Sequence, residues 1–356
     1  MKIAQVAPLY ESVPPQLYGG TERVVSYLTE ELVRQGHEVT LFASGDSTTA
    51  ARLRPGCERA LRLQGGALTA PLAHHIYLVE RVAQEAPRFD VLHFHLDYLP
   101  FSQLRRIDVP AVTTLHGRLD IPDLHPLFRE FHDMNLISIS QAQRKFMPWA
   151  SWRATVHHGL PEDLYSAHSA PGKYLAFLGR ISPEKRVDRA IEIARRVGLP
   201  LRIAAKVDPA DQEYFDNEIR KLLDSPGVEF LGEIGEQQKE QFLSNALALL
   251  FPIDWPEPFG LVMIEAAACG TPVIAFRSGS VEEVIEDGVS GFIVDSVEQA
   301  TKAVRNIASI SRTQCRAVFE QRFSAHRMAK DYLRAYRQII AEKKHQPSER
   351  GLSLAK

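Results

Sequence analysis

Cysteine is scarce in this sequence: Cys57, Cys269 and Cys315 are the three in 356 residues, widely spaced and with no Cys-x-x-Cys among them. An odd, scattered set excludes a disulfide framework and a cysteine-ligated zinc site, and reads as reduced thiols in a cytoplasmic protein. Long hydrophobic runs are also missing. No stretch reaches the roughly 18 apolar residues that a membrane-crossing helix needs. Met1 to Ala7 holds one lysine, no extended apolar region and no small-residue cleavage site, so it is expected to be a strand and not a signal peptide. Charge of one sign is lacking as well. The formal net charge is -2, and nothing global points to a nucleic-acid partner or an anionic surface. No internal repeat recurs at a fixed period.

What is present is an ordinary globular composition, 45% hydrophobic and 24% charged. The length exceeds what one hydrophobic core usually organises, so two domains of roughly 150–180 residues are expected. Short apolar runs alternate with helix-period segments, the signature of parallel α/β layers. The first half offers strands at Ile3–Ala7, Val39–Ser44, Val91–His95, Ala111–His116, Leu136–Ser140 and Thr155–His158. The second offers Tyr174–Leu178, Leu201–Ala205, Val228–Leu231, Ala248–Phe251, Val273–Phe276 and Phe292–Val294. Most are rich in Val, Ile, Leu and Phe, as strands covered on both faces are. Helices are expected at about Thr21–Gln35, Pro183–Val197, Gln212–Leu223, Glu236–Asn245, Gly260–Cys269, Val281–Glu286 and Val297–Ser309. The small, polar stretch Ser166–Gly172 reads as a hinge. It divides a first domain at 1–168 from a second at 169–324. A last helix over 325–342 and a disordered polar tail at 343–356 complete the chain.

Open parallel sheets bind ligands at the carboxyl ends of their strands, and four motifs fall there. Gly19-Gly20-Thr21-Glu22-Arg23, preceded by Tyr18, opens the first helix after a long loop. Paired glycines there let backbone N–H groups approach an anion; a plain turn is the alternative. Gly179-Arg180 followed by Lys185 sets two cations beside a strand end, with Pro183 fitted to a first helical turn. They suit a diphosphate whose departure leaves charge on its oxygens; solvated surface cations are the alternative. In Glu257-Pro258-Phe259-Gly260-Leu261-Val262-Met263-Ile264-Glu265, the second glutamate stands in an otherwise apolar helix. A carboxylate there needs partners, and the vicinal hydroxyls of a ribose would serve; an ion pair to a nearby cation is the alternative. The N–H groups from Phe259 to Met263 face outward from the helix start. His116-Gly117 closes a strand at the cleft rim. His93, His95, His157 and His158 read as strand histidines, since no carboxylate or cysteine completes a metal set. Ser280 and Glu283 read as a capping box. The segment from Arg144 to Arg153 mixes cations with large apolar groups and reads as packing; contact with a lipid or polymer acceptor is the alternative.

Together these residues closely resemble the retaining glycosyltransferases of family 4, which have the two-domain GT-B fold: two Rossmann-like doubly wound domains facing across a cleft. Gly291-Phe292-Ile293-Val294 adds to the likeness. The resemblance implies that Arg180 and Lys185 bind the diphosphate of a UDP- or GDP-sugar and that Glu265 binds its ribose. Glu257, with the backbone of Phe259, Gly260, Leu261 and Val262, would hold the transferred sugar. Gly19 and Gly20 would approach the phosphate or sugar from the first domain, His116 would line the reaction centre, and Gly232 and Ile234 would lie near the base. It further implies front-face transfer with retention and no metal or other cofactor; no Asp-x-Asp occurs. The last helix would cross back onto the first domain. The chain departs from the family at the Glu11–Leu17 loop and at Val156-His157-His158-Gly159-Leu160-Pro161, where Pro-Asn-Gly is usual. Both bear on the acceptor: a carbohydrate, a lipid-linked or a small-molecule hydroxyl. Peripheral contact with the inner membrane face is compatible with this. A nucleotide-sugar 2-epimerase, or a binder without turnover, are the other readings of such a site.

Overall fold

The computed structural model describes residues 1–16, 19–64 and 70–345. Tyr18, Leu17 and positions 346–356 of the expected tail lie outside them. Two sheets carry the fold. The first comprises β1 (Lys2–Val6), β2 (Glu38–Ser44), β3 (Arg52–Cys57), β4 (Val91–Phe94), β5 (Ala111–Thr114), β6 (Leu136–Ser138) and β7 (Trp152–Thr155), in the order β3-β2-β1-β4-β5-β6-β7. The second comprises β8 (Tyr174–Ile181), β9 (Leu201–Val207), β10 (Val228–Gly232), β11 (Ala246–Phe251), β12 (Val273–Phe276) and β13 (Gly291–Val294), in the order β10-β9-β8-β11-β12-β13. Every pairing is parallel. Strand order reverses between β1 and β4, and again between β8 and β11. Each reversal opens a crevice at the carboxyl ends of the strands, where ligands of doubly wound sheets sit. The architecture is the expected pair of Rossmann-like domains.

The helices that matter to the site are α1 (Gly20–Arg34), α2 (Pro71–Glu85), α3 (Val187–Val197), α4 (Glu236–Ser244), α5 (Leu261–Ala268), α6 (Val297–Arg305), α7 (Arg312–Arg322) and α8 (Ala325–His345). The apolar stripe of α1 and one face of α8 share a core with the first sheet: Val24 and Leu28 pack with Ile3, Val91, Met328, Tyr332 and Tyr336. So α8, which follows the second domain in sequence, lies against the first. Lys343, Lys344 and His345, expected in the disordered tail, form its last turn. Among the described residues no helix is long and apolar enough to cross a membrane.

Local differences from expectation have local causes. β3 was not anticipated because Arg52-Leu53-Arg54-Pro55-Gly56-Cys57 is polar and holds a proline. It is an edge strand bonded to β2 alone, the setting where proline is tolerated. The strand expected at Thr155–His158 lies earlier, at Trp152–Thr155, which leaves His157 and His158 in the loop beyond it. β8 does not stop at Leu178 but carries Gly179 and Arg180 to Ile181. The helix expected from Pro183 is broken. Pro183–Lys185 is a single tight turn, Arg186 takes a left-handed backbone (φ 53), and α3 starts at Val187.

Candidate active site

The loop from β11 to α5 holds Trp255 to Gly260. Gly260 sits at φ 78, a left-handed conformation that glycine adopts without penalty, and it turns the chain into α5. The Met263 N–H, expected to be free, donates to the Gly260 carbonyl, so the first-turn donors are those of Leu261 and Val262. A second loop braces this one. Ser278 Oγ donates to the Trp255 carbonyl, the Ser280 N–H to the Glu257 carbonyl, and Ser280 Oγ to the Phe259 carbonyl. Ser280 therefore stands at the N-cap position of the turn that follows but makes no side-chain cap bond. Glu283 makes none either: its carboxylate accepts from the N–H groups of Gln141 and Ala142 at 2.7 Å and pairs with His157 Nε2 at 3.0 Å. Burial would raise that carboxyl; those partners outweigh it and hold the pKa below the ordinary carboxylate range. The group ties the second domain to the first.

Gly279 makes the bracing contact possible. A Cβ there would lie 2.3 Å from the Glu257 carbonyl oxygen, and the residue has φ +55. Gly279→Ala must move the Glu257 backbone. It is expected to slow the reaction of this site at least tenfold while the fold persists, since roughly 1–2 kcal/mol of backbone strain adds to the displacement. Wild-type rates in a folded Gly279→Ala protein would show that the bracing contact does not govern Glu257.

Arg180, on β8, donates to the Glu184 carboxylate at 2.6 Å and lies 3.4 Å from Asp211. Lys185 Nζ pairs with Glu257, and Trp255 Nε1 donates to the same carboxylate oxygen at 3.0 Å. The ammonium also sits 4.8 Å from the Trp255 ring centre, and Arg118, one residue after His116-Gly117, lies over that ring at 5.4 Å. Glu265 is almost fully buried and meets Lys239 Nζ, from α4, at 2.7 Å. This is the ion pair that stood as the plainer alternative. Lys239 also lies 3.5 Å from Glu236, which pairs with Arg23 of α1, so the chain of charges crosses from one domain to the other.

From the first domain, His116 faces the cleft with its ring stacked on His158 at 5.3 Å between centres, and His158 meets Phe259 edge-on at 4.8 Å. His116 Nε2 lies 2.8 Å from His95 Nδ1. Burial pulls His116 down to about 3, and holds His93, His95 and His158 well below the ordinary range. These rings are neutral at physiological pH. Two carboxyls shift the other way. Glu22 is pushed up to about 7 by burial, and Asp97 to about 6, although Asp97 opens onto the cleft on one side.

One cleft of about 790 Å³ collects Gly19, Gly20, His116, Arg180, Lys185, Ile234, Glu257, Phe259, Gly260, Leu261, Val262 and Glu265. Gly232 does not line it; its neighbours Glu233 and Ile234 do. The starts of α1 and α5 face each other there, for a Cβ on Gly20 would be 3.6 Å from Leu261 Cδ1. The sequence reading did not name Trp255, Lys239 or Asp97. Trp255, two residues ahead of Glu257, was available to notice; Lys239 belongs to a polar helix whose contact with Glu265 no spacing reveals. Among the described residues, no three His, Cys, Asp or Glu side chains are grouped to hold a metal. The segment from Arg144 to Arg153 is packed only in part: Met147 is fully buried and Trp152 Nε1 donates to its carbonyl, while Trp149 is exposed.

This arrangement can hold an anion between two helix starts, two cations and two buried carboxylates. The Glycosyltransferase Family 4 model matches residues 18–179, and the Glycosyl transferases group 1 model matches residues 166–330. A phosphatidyl-myo-inositol mannosyltransferase of Mycobacterium leprae is 25% identical over 85% of this chain and 86% of its own length. A glycogen synthase of Mycobacterium tuberculosis is 26% identical over 93% and 89%. Among solved structures, Anabaena Alr3699/HepE in complex with UDP and glucose superposes with a TM-score of 0.73 at 20% identity, covering 95% of this chain and all of that one. The two matches run through both domains and across the cleft between them, and the chain belongs to the GT-B glycosyltransferases, family 4 in its first half and group 1 in its second.

Proposed function

We propose that this enzyme moves a hexose-type sugar from a UDP- or GDP-sugar to a hydroxyl acceptor, with retention of anomeric configuration and without a metal. The observation that carries the reading is the convergence of Arg180, Lys185 and the starts of α1 and α5 on one cleft whose floor holds the buried Glu265. The diphosphate takes the cations and the first-turn N–H groups. Ribose hydroxyls donate to Glu265, and Glu257 accepts from hydroxyls of the sugar. The bond from the anomeric carbon to the phosphate oxygen breaks. Arg180 and Lys185 stabilise the charge left on that oxygen, which takes the proton of the acceptor hydroxyl as its oxygen bonds to the same face of the sugar. His116, neutral, supplies a hydrogen-bonding ring beside the reacting carbon. The crystallised relative holds UDP and glucose, and the mycobacterial one is a mannosyltransferase; a hexose is common to both.

Calorimetry with UDP, GDP, ADP and their sugar conjugates tests the donor site. Micromolar binding of one nucleotide family, lost in Glu265→Ala, is the expected result; no binding of any sinks the proposal. Transfer is expected to persist in a chelator, and strict metal dependence would contradict the metal-free step.

A further inference from the structure

Behind His116 runs a buried file of hydrogen-bonding groups that ends on the last helix. Thr114 Oγ1 donates to Tyr332 OH at 3.2 Å, and His93 Nε2 lies 2.7 Å from Thr114 Oγ1. Tyr336 OH is 2.6 Å from His93 Nδ1 and accepts from Gln5 Nε2 at 3.0 Å. Gln5 Oε1 is 2.9 Å from His95 Nε2, and His95 Nδ1 is 2.8 Å from His116 Nε2. Gln5, His93, Thr114, Tyr332 and Tyr336 are wholly buried, and His95 nearly so.

The donors in this file are not independent. Gln5 has one donating and one accepting end. With its NH2 toward Tyr336, its carbonyl faces His95, so His95 Nε2 must carry the proton and Nδ1 the lone pair. His116 Nε2–H then donates to that lone pair, which leaves His116 Nδ1 unprotonated. On the other side, Tyr336 has accepted from Gln5 and passes its own proton to His93 Nδ1, so His93 Nε2–H donates to Thr114. The reversed file, with the amide turned over, would put a proton on His116 Nδ1. That atom is sealed from water and has no partner among the described residues, so a donor there would be left unmet; buried orphan N–H groups are rarer than under-satisfied acceptors, and the bare lone pair is the lesser loss.

We infer that Gln5 and Tyr336 are positioning residues that lock the neutral His116 ring in the Nε2–H tautomer, with the lone pair on Nδ1. The helix α8, which crosses from beyond the second domain, thereby sets the proton position of a ring that lines the cleft. The tautomer is independent of the donor reading; its effect on turnover rests on it.

The test is a long-range 1H–15N spectrum of protein labelled on histidine, with the His116 signals assigned by their loss in His116→Gln. Wild type is expected to show His116 protonated on Nε2 alone. Tyr336→Phe frees the amide to turn, and should give a mixture of the two tautomers. Gln5→Glu, which can only accept from His95, should restore the single Nε2–H form. Hydrolysis of UDP-glucose and GDP-mannose to free sugar is measured in parallel. Tyr336→Phe is expected to slow it about tenfold through kcat, the size of one lost hydrogen bond, and Gln5→Glu to retain it. A proton on His116 Nδ1 in wild type, or one unchanged tautomer in Tyr336→Phe, overturns the inference. A locked tautomer with no turnover or binding of either donor would instead overturn the donor assignment.

Discussion

Lys185→Ala is expected to lower sugar transfer at least tenfold, and Arg180→Ala to do the same. One charge-assisted hydrogen bond to a phosphate contributes roughly 1.5–3 kcal/mol, and tenfold in rate corresponds to about 1.4 kcal/mol. The geometry makes the lysine the more consequential of the two. In the empty cleft its ammonium pairs with Glu257, and both side chains are mostly buried. On the proposed reading, the ammonium would exchange carboxylate for phosphate oxygens when the donor enters, and Glu257 would exchange ammonium for sugar hydroxyls. Removing Lys185 therefore strips the diphosphate of a cation. It also leaves Glu257 as a buried carboxylate held, among the described residues, by the Trp255 indole N–H, an unpaired charge that costs several kcal/mol unless it is protonated or moves. Two defects from one substitution predict strong non-additivity. In the Lys185→Ala background, Glu257→Gln should cost much less than it does alone, because the carboxylate it removes is already misplaced. Initial rates over a range of donor concentrations for both single variants and the pair decide the matter. Full activity in Lys185→Ala would remove the phosphate assignment; additive losses would mean that the ion pair has no part in placing Glu257.

The pairs Lys185–Glu257 and Lys239–Glu265 show where reading the sequence ends. Strand runs such as Val273–Phe276 declare themselves through β-branched and aromatic residues buried on both faces, and the order of such runs with intervening helices is enough for two doubly wound domains. Glu257 and Glu265 declare themselves too, since the seven residues of apolar helix and turn between them offer a carboxylate no partner. Their partners do not. Lys239 belongs to a polar helix with no unusual pattern. Trp255 is one aromatic among many until its N–H is seen on Glu257. The same limit explains Glu283, whose position three residues after Ser280 matches a capping box. Its carboxylate turned instead to two N–H groups and a histidine of the other domain, 126 to 142 residues away in sequence. Arg186 hides a different kind of fact: its left-handed backbone breaks a helix that propensity would run on from Pro183. Backbone strain at a non-glycine residue is set by what surrounds it, and composition carries no trace of it.

The histidine file also sets how stability depends on pH. His93, His95, His116 and His158 are held neutral by burial, with folded-state values far below the roughly 6.5 of an unfolded chain. Between those limits the unfolded state binds more protons, so their contribution is complete above pH 6.5 and is lost as pH falls toward the folded values. Glu22, at about 7, and Asp97, at about 6, act in the opposite sense. The folded state holds their protons where the unfolded state has released them, so they favour folding at low pH and lose that effect as pH rises through 6 and 7. Near pH 5.5, four histidines stand against the buried Glu22, while Asp97, exposed to solvent, is screened and counts for little, so a net difference of about two to three protons remains. Stability is expected to fall by about 3–4 kcal/mol per pH unit there, at about 1.4 kcal/mol per proton. Urea unfolding at pH 7.5, 6.5 and 5.5 measures it. Glu22→Gln takes away one opposing proton and should steepen the fall by about 1.4 kcal/mol per pH unit; His95→Gln should flatten it by a similar amount. A midpoint that does not move between pH 6.5 and 5.5 would mean that these rings take up protons in the folded protein, and the neutral file behind His116 would fall with it.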